Sequence, residues 1–254
     1  MKRFLQRLLF RRSEVDPQAI DPISVVICYR HKPDRFDNLI EVVNWFLQFP
    51  GEVLISELDV QPCDDLDDIS RKSRVTRIFK SDSAGFNRSR AFNAGAAAAA
   101  FDTIVFADSD IVMRPASFAH SLQILQQSPI LECISPWNRV IDLNPEERSS
   151  QTMEEWLSIK RRARRLTNIS GGMIALMRSG FEKIGGWCEE FVGWGAEDEY
   201  MSRRIKQTIT WRELPYRGYH LWHPPAQLVR EEYNRNLDLL KEKTGIDFTA
   251  NKLC

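Results

Sequence analysis

No stretch of the 254-residue chain is apolar for anything near the ~20 positions that a bilayer-crossing helix requires, and charge interrupts the longest such stretches within about ten positions. An integral membrane protein is therefore not expected. Cysteine is scarce too. Cys28, Cys63, Cys133, Cys188 and Cys254 are odd in number, lie far apart and form neither a CxxC pair nor a disulfide-framework spacing, which points to a reducing cytoplasm. Net charge is absent: 35 Lys and Arg balance 35 Asp and Glu, which removes a whole-chain electrostatic attraction for nucleic acid and an acidic, disordered character alike. What remains, with 43% hydrophobic residues, is enough to bury the core of one large α/β domain or two small ones.

The first twelve residues, MKRFLQRLLFRR, are basic, with no acid before Glu14, but their apolar part is too short for a signal peptide. On a helix Phe4, Leu5, Leu8 and Leu9 share a face bordered by Lys2, Arg3, Arg7 and Arg11, the pattern of a weak interfacial anchor for anionic lipid. A frayed, solvated end is the competing reading. Residues 1–20 are therefore set apart from a body at 21–254, within which no linker, repeat or clear boundary is visible.

The body alternates strand and helix patterns. Ile23–Tyr29 reads as a strand buried on both faces; Phe36, Leu39, Ile40, Val43, Phe46 and Leu47 recur at helical spacing until Pro50-Gly51, and Val53–Leu58 is a second strand. Val75–Phe79 supplies a third. Ser89–Phe101 is a helix whose run Ala96–Ala100 is expected to pack closely on the sheet. Thr103–Ala107 is a fourth strand ending in Asp108-Ser109-Asp110, at the edge where open α/β sheets place ligands. Pro115 opens a helix, Cys133–Trp137 and Met173–Met177 read as strands, and Thr152 with Glu155 forms a capping box for a helix carrying the basic run Lys160–Arg165. Another helix starts at the acidic Glu197.

Three constellations bear on chemistry. Two carboxylates one residue apart, Asp108 and Asp110, can hold a divalent cation, although a polar turn gives the same pattern. His220 and His223 lie three apart; on a bend or helical turn both reach one metal, whereas on a flat strand they point to opposite faces. With Asp110 they make an N/O donor set suited to Mn²⁺. Finally, Gly193-Trp194-Gly195 precedes Glu197, Asp198 and Glu199: a flat aromatic face for a sugar, expected to be buried, beside acids able to take a hydroxyl proton. An acidic helix start explains the three acids alone.

In order along Ile23 to Pro225, the motifs Tyr29-Arg30, Phe86-Asn87-Arg88, Asp108-Ser109-Asp110, Ser170-Gly171-Gly172, Gly193-Trp194-Gly195-Ala196-Glu197-Asp198 and His220-Leu221-Trp222-His223 resemble those of the β-1,4-galactosyltransferase-type glycosyltransferases and their bacterial polysaccharide and chondroitin-type relatives. The resemblance implies a GT-A nucleotide-sugar-binding fold, with a mostly parallel central sheet flanked by helices. It divides the body into a nucleotide-binding half (21–115), an acceptor and metal half (116–230) and a C-terminal helix and tail (231–254). It also implies roles. Tyr29, Arg30, Phe86 and Arg88 hold uridine and diphosphate; Asp108, Gly172 and Glu197 lie by the ribose and donor sugar; Asp110, His220 and His223 bind the metal; Trp194 meets the acceptor; and Asp198 is the catalytic base.

The chain departs from the family at His220, where a methionine is usual, and at Ala196 and Glu199, where glycine and aspartate are usual. It also has Ile169 where a tyrosine often crowds the donor's C2 group, leaving room for an N-acetyl group. The expected activity is inverting, Mn²⁺-dependent transfer of galactose or N-acetylgalactosamine from a UDP-sugar to a carbohydrate acceptor. It would serve bacterial surface glycan synthesis in the cytoplasm, with a lipid-linked acceptor if residues 1–12 touch the inner face of the membrane. Two other readings stay open. Asp108–Val112 also fits the DxDx[T/V] turn of haloacid-dehalogenase-type phosphatases, and the fold could serve a non-catalytic sugar-nucleotide or glycan-binding module.

Overall fold

The computed structural model describes residues 15–83, 85–225 and 229–246; the basic segment 1–12 lies outside them. Residues of β1 (Ile23–Tyr29) alternate between the two faces of a seven-stranded sheet. Val25 and Ile27 enter one core with Leu39, Val43, Phe46 and Phe118; Val26 and Cys28 enter the other with Phe92, Phe106, Trp187 and Ile205. Double burial is why the strand reads as a continuous apolar run. Parallel to β1 lie β2 (Gly51–Asp59) on one side and β4 (Thr103–Ala107) on the other, with β3 (Val75–Ser81) beyond β2. The order then continues from β4 through β9 (Met173–Met177) and β6 (Cys133–Ser135) to β10 (Trp211–Glu213), β9 running antiparallel to both its neighbours. The chain winds outward from β1 in one direction and then returns to its other side, so the carboxyl ends of β1 and β4 flank the point where the winding reverses.

A second, four-stranded sheet is ordered β5 (Ile111–Met113), β11 (Arg217–His220), β7 (Arg139–Asp142) and β8 (Arg164–Arg165). It begins immediately after the turn that ends β4. Residues 15–20 already pack into the body, Val15 and Ile20 being buried in the core.

Helix α1 (Pro33–Phe46) starts with proline at its first turn, where no amide donor is lost, and its Trp45 and Phe46 form with Phe49 and Phe118 an edge-on and tilted aromatic cluster with ring separations of 4.7–5.8 Å. Phe118 belongs to α4 (Pro115–Gln126), so this aromatic cluster joins the two helices. Between them in sequence come α2 (Leu66–Ser70) and α3 (Arg88–Ala98).

Two expectations are corrected here. The close approach of α3 to the sheet is made by Ala91, Gly95 and Ala96; Ala97, Ala98 and Ala100 are exposed, because the helix ends at Ala98 and the chain leaves the sheet. The basic run Lys160–Arg165 is not helical. After α5 (Pro145–Ser150), α6 (Met153–Ser158) does carry the Thr152–Glu155 capping box, but it stops before the run, which ends in β8. The remaining helices are α7 (Arg178–Lys183), α8 (Glu197–Thr208) and α9 (Arg230–Thr244). No helix among the described residues is long and apolar enough to cross a membrane.

A β-carbon at Gly95 would stand 2.2 Å from Val26 Cγ1. Gly95→Ala should therefore lower stability by about 1–3 kcal/mol through overpacking, although alanine is the better helix former by about 1 kcal/mol. An unchanged or higher urea midpoint would show that α3 does not rest on β1 through this residue.

Candidate active site

Asp110 is the turn residue between the two sheets. β11 pairs antiparallel with β5 so that His220 faces Ile111, and the Leu221 amide donates to the Asp110 carbonyl at 2.7 Å. This register carries both histidines to one carboxylate: His223 Nε2 lies 3.2 Å from Asp110 Oδ2, and His220 Nε2 lies 3.7 Å from Oδ1. β11 ends at His220, so His223 stands on irregular chain beyond the strand rather than on the strand's opposite face. That segment is held from behind. Asn38 on α1 donates to the Trp222 carbonyl at 3.1 Å, and Arg148 donates to Asn38 Oδ1 at 2.6 Å.

The three donor groups fit a divalent cation, one ligand atom from each lying within 4.8 Å of the others. His223 Nδ1 is 2.7 Å from the Pro224 carbonyl, which can only accept, so Nδ1 carries the proton and Nε2 is left as a ligand. His220 Nδ1 faces Asp142 Oδ1 at 3.4 Å, which orients its Nε2 in the same way. Burial opposes charge on His220, but hydrogen bonds to Asp110 and Asp142 outweigh it and push this imidazole up to about 10. Burial likewise opposes ionisation of Asp110, yet the two histidines hold its carboxyl well below the usual carboxylate range. A cation entering the site thus displaces a proton and binds more tightly as pH rises. Asp142 and Arg35, whose Nη1 is 3.5 Å from Asp110 Oδ2, were not legible in sequence; each reaches the site through sheet register or helix packing and belongs to no motif.

A second group centres on Arg88, at the start of α3 where Asn87 caps the helix by accepting from the Arg90 amide. Its guanidinium donates to Asp108 Oδ1 at 2.8 Å and to Asp198 Oδ1 at 2.5 Å, with Glu197 Oε1 at 3.7 Å, and lies over the ring of Phe92. Burial raises Asp108 and Asp198 above the ordinary carboxylate range, with Arg88 opposing. Burial and the neighbouring Asp198 push Glu197 up to about 7, and its Oε2 is buried without a hydrogen-bond partner. Gly172 joins this group through its carbonyl, which accepts from the Asp108 amide at 2.8 Å; a β-carbon on Gly171 would lie 3.9 Å from Asp198 Oδ2. Ser170 Oγ donates to the Asp198 carbonyl at 2.8 Å.

The remaining predicted residues ring these two groups. Arg30 pairs with Asp59 at 3.6 Å across the ends of β1 and β2, and Tyr29 is buried with its hydroxyl 3.3 Å from His31 Nδ1. The Phe86 carbonyl accepts from the Gly193 amide, tying the loop before α3 to the glycine-flanked tryptophan. Trp194 is 60% exposed rather than buried, its ring 5.4 Å from that of Tyr233 on α9. Gly193 and Gly195 adopt φ of +81° and +106°, and a β-carbon on either would collide with Glu232 or Tyr233. Ala196 takes a left-handed φ of +74°.

A β4 strand at the reversal of a mostly parallel sheet ends in the aspartate pair that carries both groups, and solved structures share this architecture. This is a GT-A glycosyltransferase fold. Over 92% of this chain and 53% of the other, it is similar to GalNAc-T7, whose structure holds UDP, GalNAc and Mn²⁺, at 16% identity and a TM-score of 0.61. The catalytic domain of Drosophila β1,4-galactosyltransferase 7, in complex with xylobiose, is similar over 85% of this chain and 80% of its own, at 14% identity and a TM-score of 0.50. The chain thus spans about half the length of the first of these. Residues 155–221 match the family model described as the N-terminal domain of galactosyltransferase, a span containing the glycine-flanked Trp194, Asp198 and His220. No curated protein matches the chain by sequence. With Asp108 following the fourth strand of a GT-A fold, the phosphatase reading, which requires the motif after a first strand, is not supported.

Two outcomes follow from the geometry. Asp142→Asn should weaken Mn²⁺ binding about 10–100-fold by releasing the orientation of His220, and Asp110→Asn should abolish it, both read by calorimetric titration. Full affinity in Asp110→Asn would remove the site. Glu197 ionises near 4.5 in its ordinary state and near 7 when folded, so between those values the folded protein holds the extra proton and loses stability as pH rises. Glu197→Gln lacks this penalty. Its stability relative to the parent should grow by on the order of 1–3 kcal/mol from about pH 5 to about pH 8; a flat difference would show that Glu197 titrates normally.

Proposed function

We propose that this protein transfers a hexosyl group, galactose or N-acetylgalactosamine, from a UDP-sugar to a carbohydrate hydroxyl, with inversion at the anomeric carbon. The observation that carries the reading is Arg88: one mostly buried guanidinium links Asp108, beside the metal-ligating group, to Asp198 in the first turn of α8. Leaving-group stabilisation and proton removal are thereby held a single side chain apart. Asp110, His220 and His223 would hold a divalent cation, which would supply Lewis-acid charge for the diphosphate.

Asp198 takes the acceptor hydroxyl proton as that oxygen forms its bond to the anomeric carbon. The bond from that carbon to the diphosphate breaks with its electron pair leaving on UDP, and no covalent enzyme intermediate is needed. Arg88, permanently charged, offers the departing phosphates a cation of the chain's own. Ser170 and the Gly171-Gly172 turn hold Asp198 and Asp108 in place, in the manner that makes a positioned base effective. The unpartnered, buried Oε2 of Glu197 suits a donor-sugar hydroxyl, and exposed Trp194 offers the acceptor a flat apolar face. Ile169 is turned into the core with Met201 and Ile205, which supports room for an N-acetyl group on the donor. The setting we infer is bacterial surface glycan synthesis at the inner face of the membrane, with residues 1–12 making the lipid contact.

With Mn²⁺ and a panel of UDP-sugars, UDP release should single out one or two donors, and the first product of an α-linked donor should be β-linked by NMR. Asp198→Asn should lower transfer about 10²–10⁴-fold while UDP binding stays within a few fold. Turnover close to the parent's would dismiss Asp198 as the base, and an α-linked product would dismiss direct displacement.

A further inference from the structure

On the same edge of the large sheet, beyond the nucleotide-facing ends of β1 and β2, a second set of ligating side chains converges that the glycosyl-transfer reading does not use. His31 follows Tyr29-Arg30 at the end of β1, and Cys63 and Asp65 lie on the segment between β2 and α2. His31 Nδ1 is 3.0 Å from Cys63 Sγ, His31 Nε2 is 3.8 Å from Asp65 Oδ2, and one ligand atom from each residue lies within 4.8 Å of the others.

We propose that His31, Cys63 and Asp65 form a second divalent-cation site, containing a thiolate and suited to Zn²⁺. The donor set is what separates it from the Asp110 site. One sulfur, one imidazole nitrogen and one carboxylate oxygen favour a borderline-soft ion, whereas Asp110 with two histidines offers no sulfur. A tetrahedral zinc with bonds of about 2.0–2.3 Å keeps its donors roughly 3.5 Å apart, so one imidazole nitrogen of His31, the Cys63 sulfur and an Asp65 oxygen, all within 4.8 Å of one another, need to draw together by about an ångström at most to close on an ion.

The scaffold is firm where it matters. The Cys63 amide donates to Glu57 Oε1 at 2.8 Å, and Glu57, fully buried on β2, is itself gripped by Arg77 at 2.6 Å. The Asp65 side chain makes no capping bond to the helix it precedes, and its carboxylate is mostly exposed, so an ion has a route in. Three protein ligands leave a fourth position for water. An ion here would tie the turn after β1 to the segment after β2 and stiffen the wall carrying Tyr29 and Arg30.

The test uses Co²⁺ as a spectroscopic stand-in on the full chain already saturated with Mn²⁺, so that the Asp110 site is filled. Cobalt bound by a thiolate gives a near-ultraviolet charge-transfer absorption that an N/O site cannot give. The band should rise to one equivalent, bleach on addition of Zn²⁺, vanish in Cys63→Ser and weaken at least 10-fold in His31→Ala. It should survive in Cys188→Ser, which removes the other partly exposed thiol among the described residues. Should Cys63→Ser fail to fold, His31→Ala, which leaves every thiol in place, decides the matter. No band, or a band undiminished in both variants, overturns the site. Neither result touches the proposed transfer reaction, because the Asp110, His220 and His223 set is unaltered throughout.

Discussion

One buried carboxylate organises this molecule. Asp110 sits at the corner where the large sheet gives way to the small one, and its main chain accepts the hydrogen bond that closes the β5–β11 pairing. Because register in a sheet is all or none, that bond decides where His220 and His223 arrive. The same strand, on its other edge, brings Asp142 opposite His220. A buried anion flanked by two imidazoles and an arginine is stable only when such partners are delivered together, so the electrostatic centre and the strand pairing support each other.

Arg88 plays the corresponding part among the acids. Glu197, Asp198 and Asp108 crowd a partly dry region where burial disfavours their charge, and a single guanidinium stacked on Phe92 is what makes the cluster tolerable. Such an arrangement is poorly optimised for stability. Strain at Ala196, the left-handed residue just before α8, belongs to the same compromise: it turns the chain so that two successive acids enter the site.

Periodicity was enough to place the strands Ile23–Tyr29, Thr103–Ala107 and Met173–Met177 at their observed bounds, because each is a short apolar run cut off sharply by polar or glycine residues. The candidate metal ligands were likewise visible, since their chemistry is carried by residue type. The expectations that failed rested on surroundings rather than identity. Trp194, expected to be buried, stands exposed on a loop between two glycines. The alanine run was credited with a contact made largely by Gly95, and the basic run was placed on a helix that ends sooner.

From the order of its residues alone came an α/β chain, the strand ends that bear aspartates, and a short set of donors able to hold a cation and move a proton. Those are properties of side-chain chemistry and local periodicity. Tertiary structure alone decided that His220 and His223 face one carboxylate, that Asp142 and Asn38 stand behind them, that Arg88 bridges two acids 110 and 20 residues away, and that α9 backs the exposed tryptophan. Such contacts depend on strand order, on register and on which face of a helix meets the sheet, all of them long-range consequences of packing that no local pattern encodes.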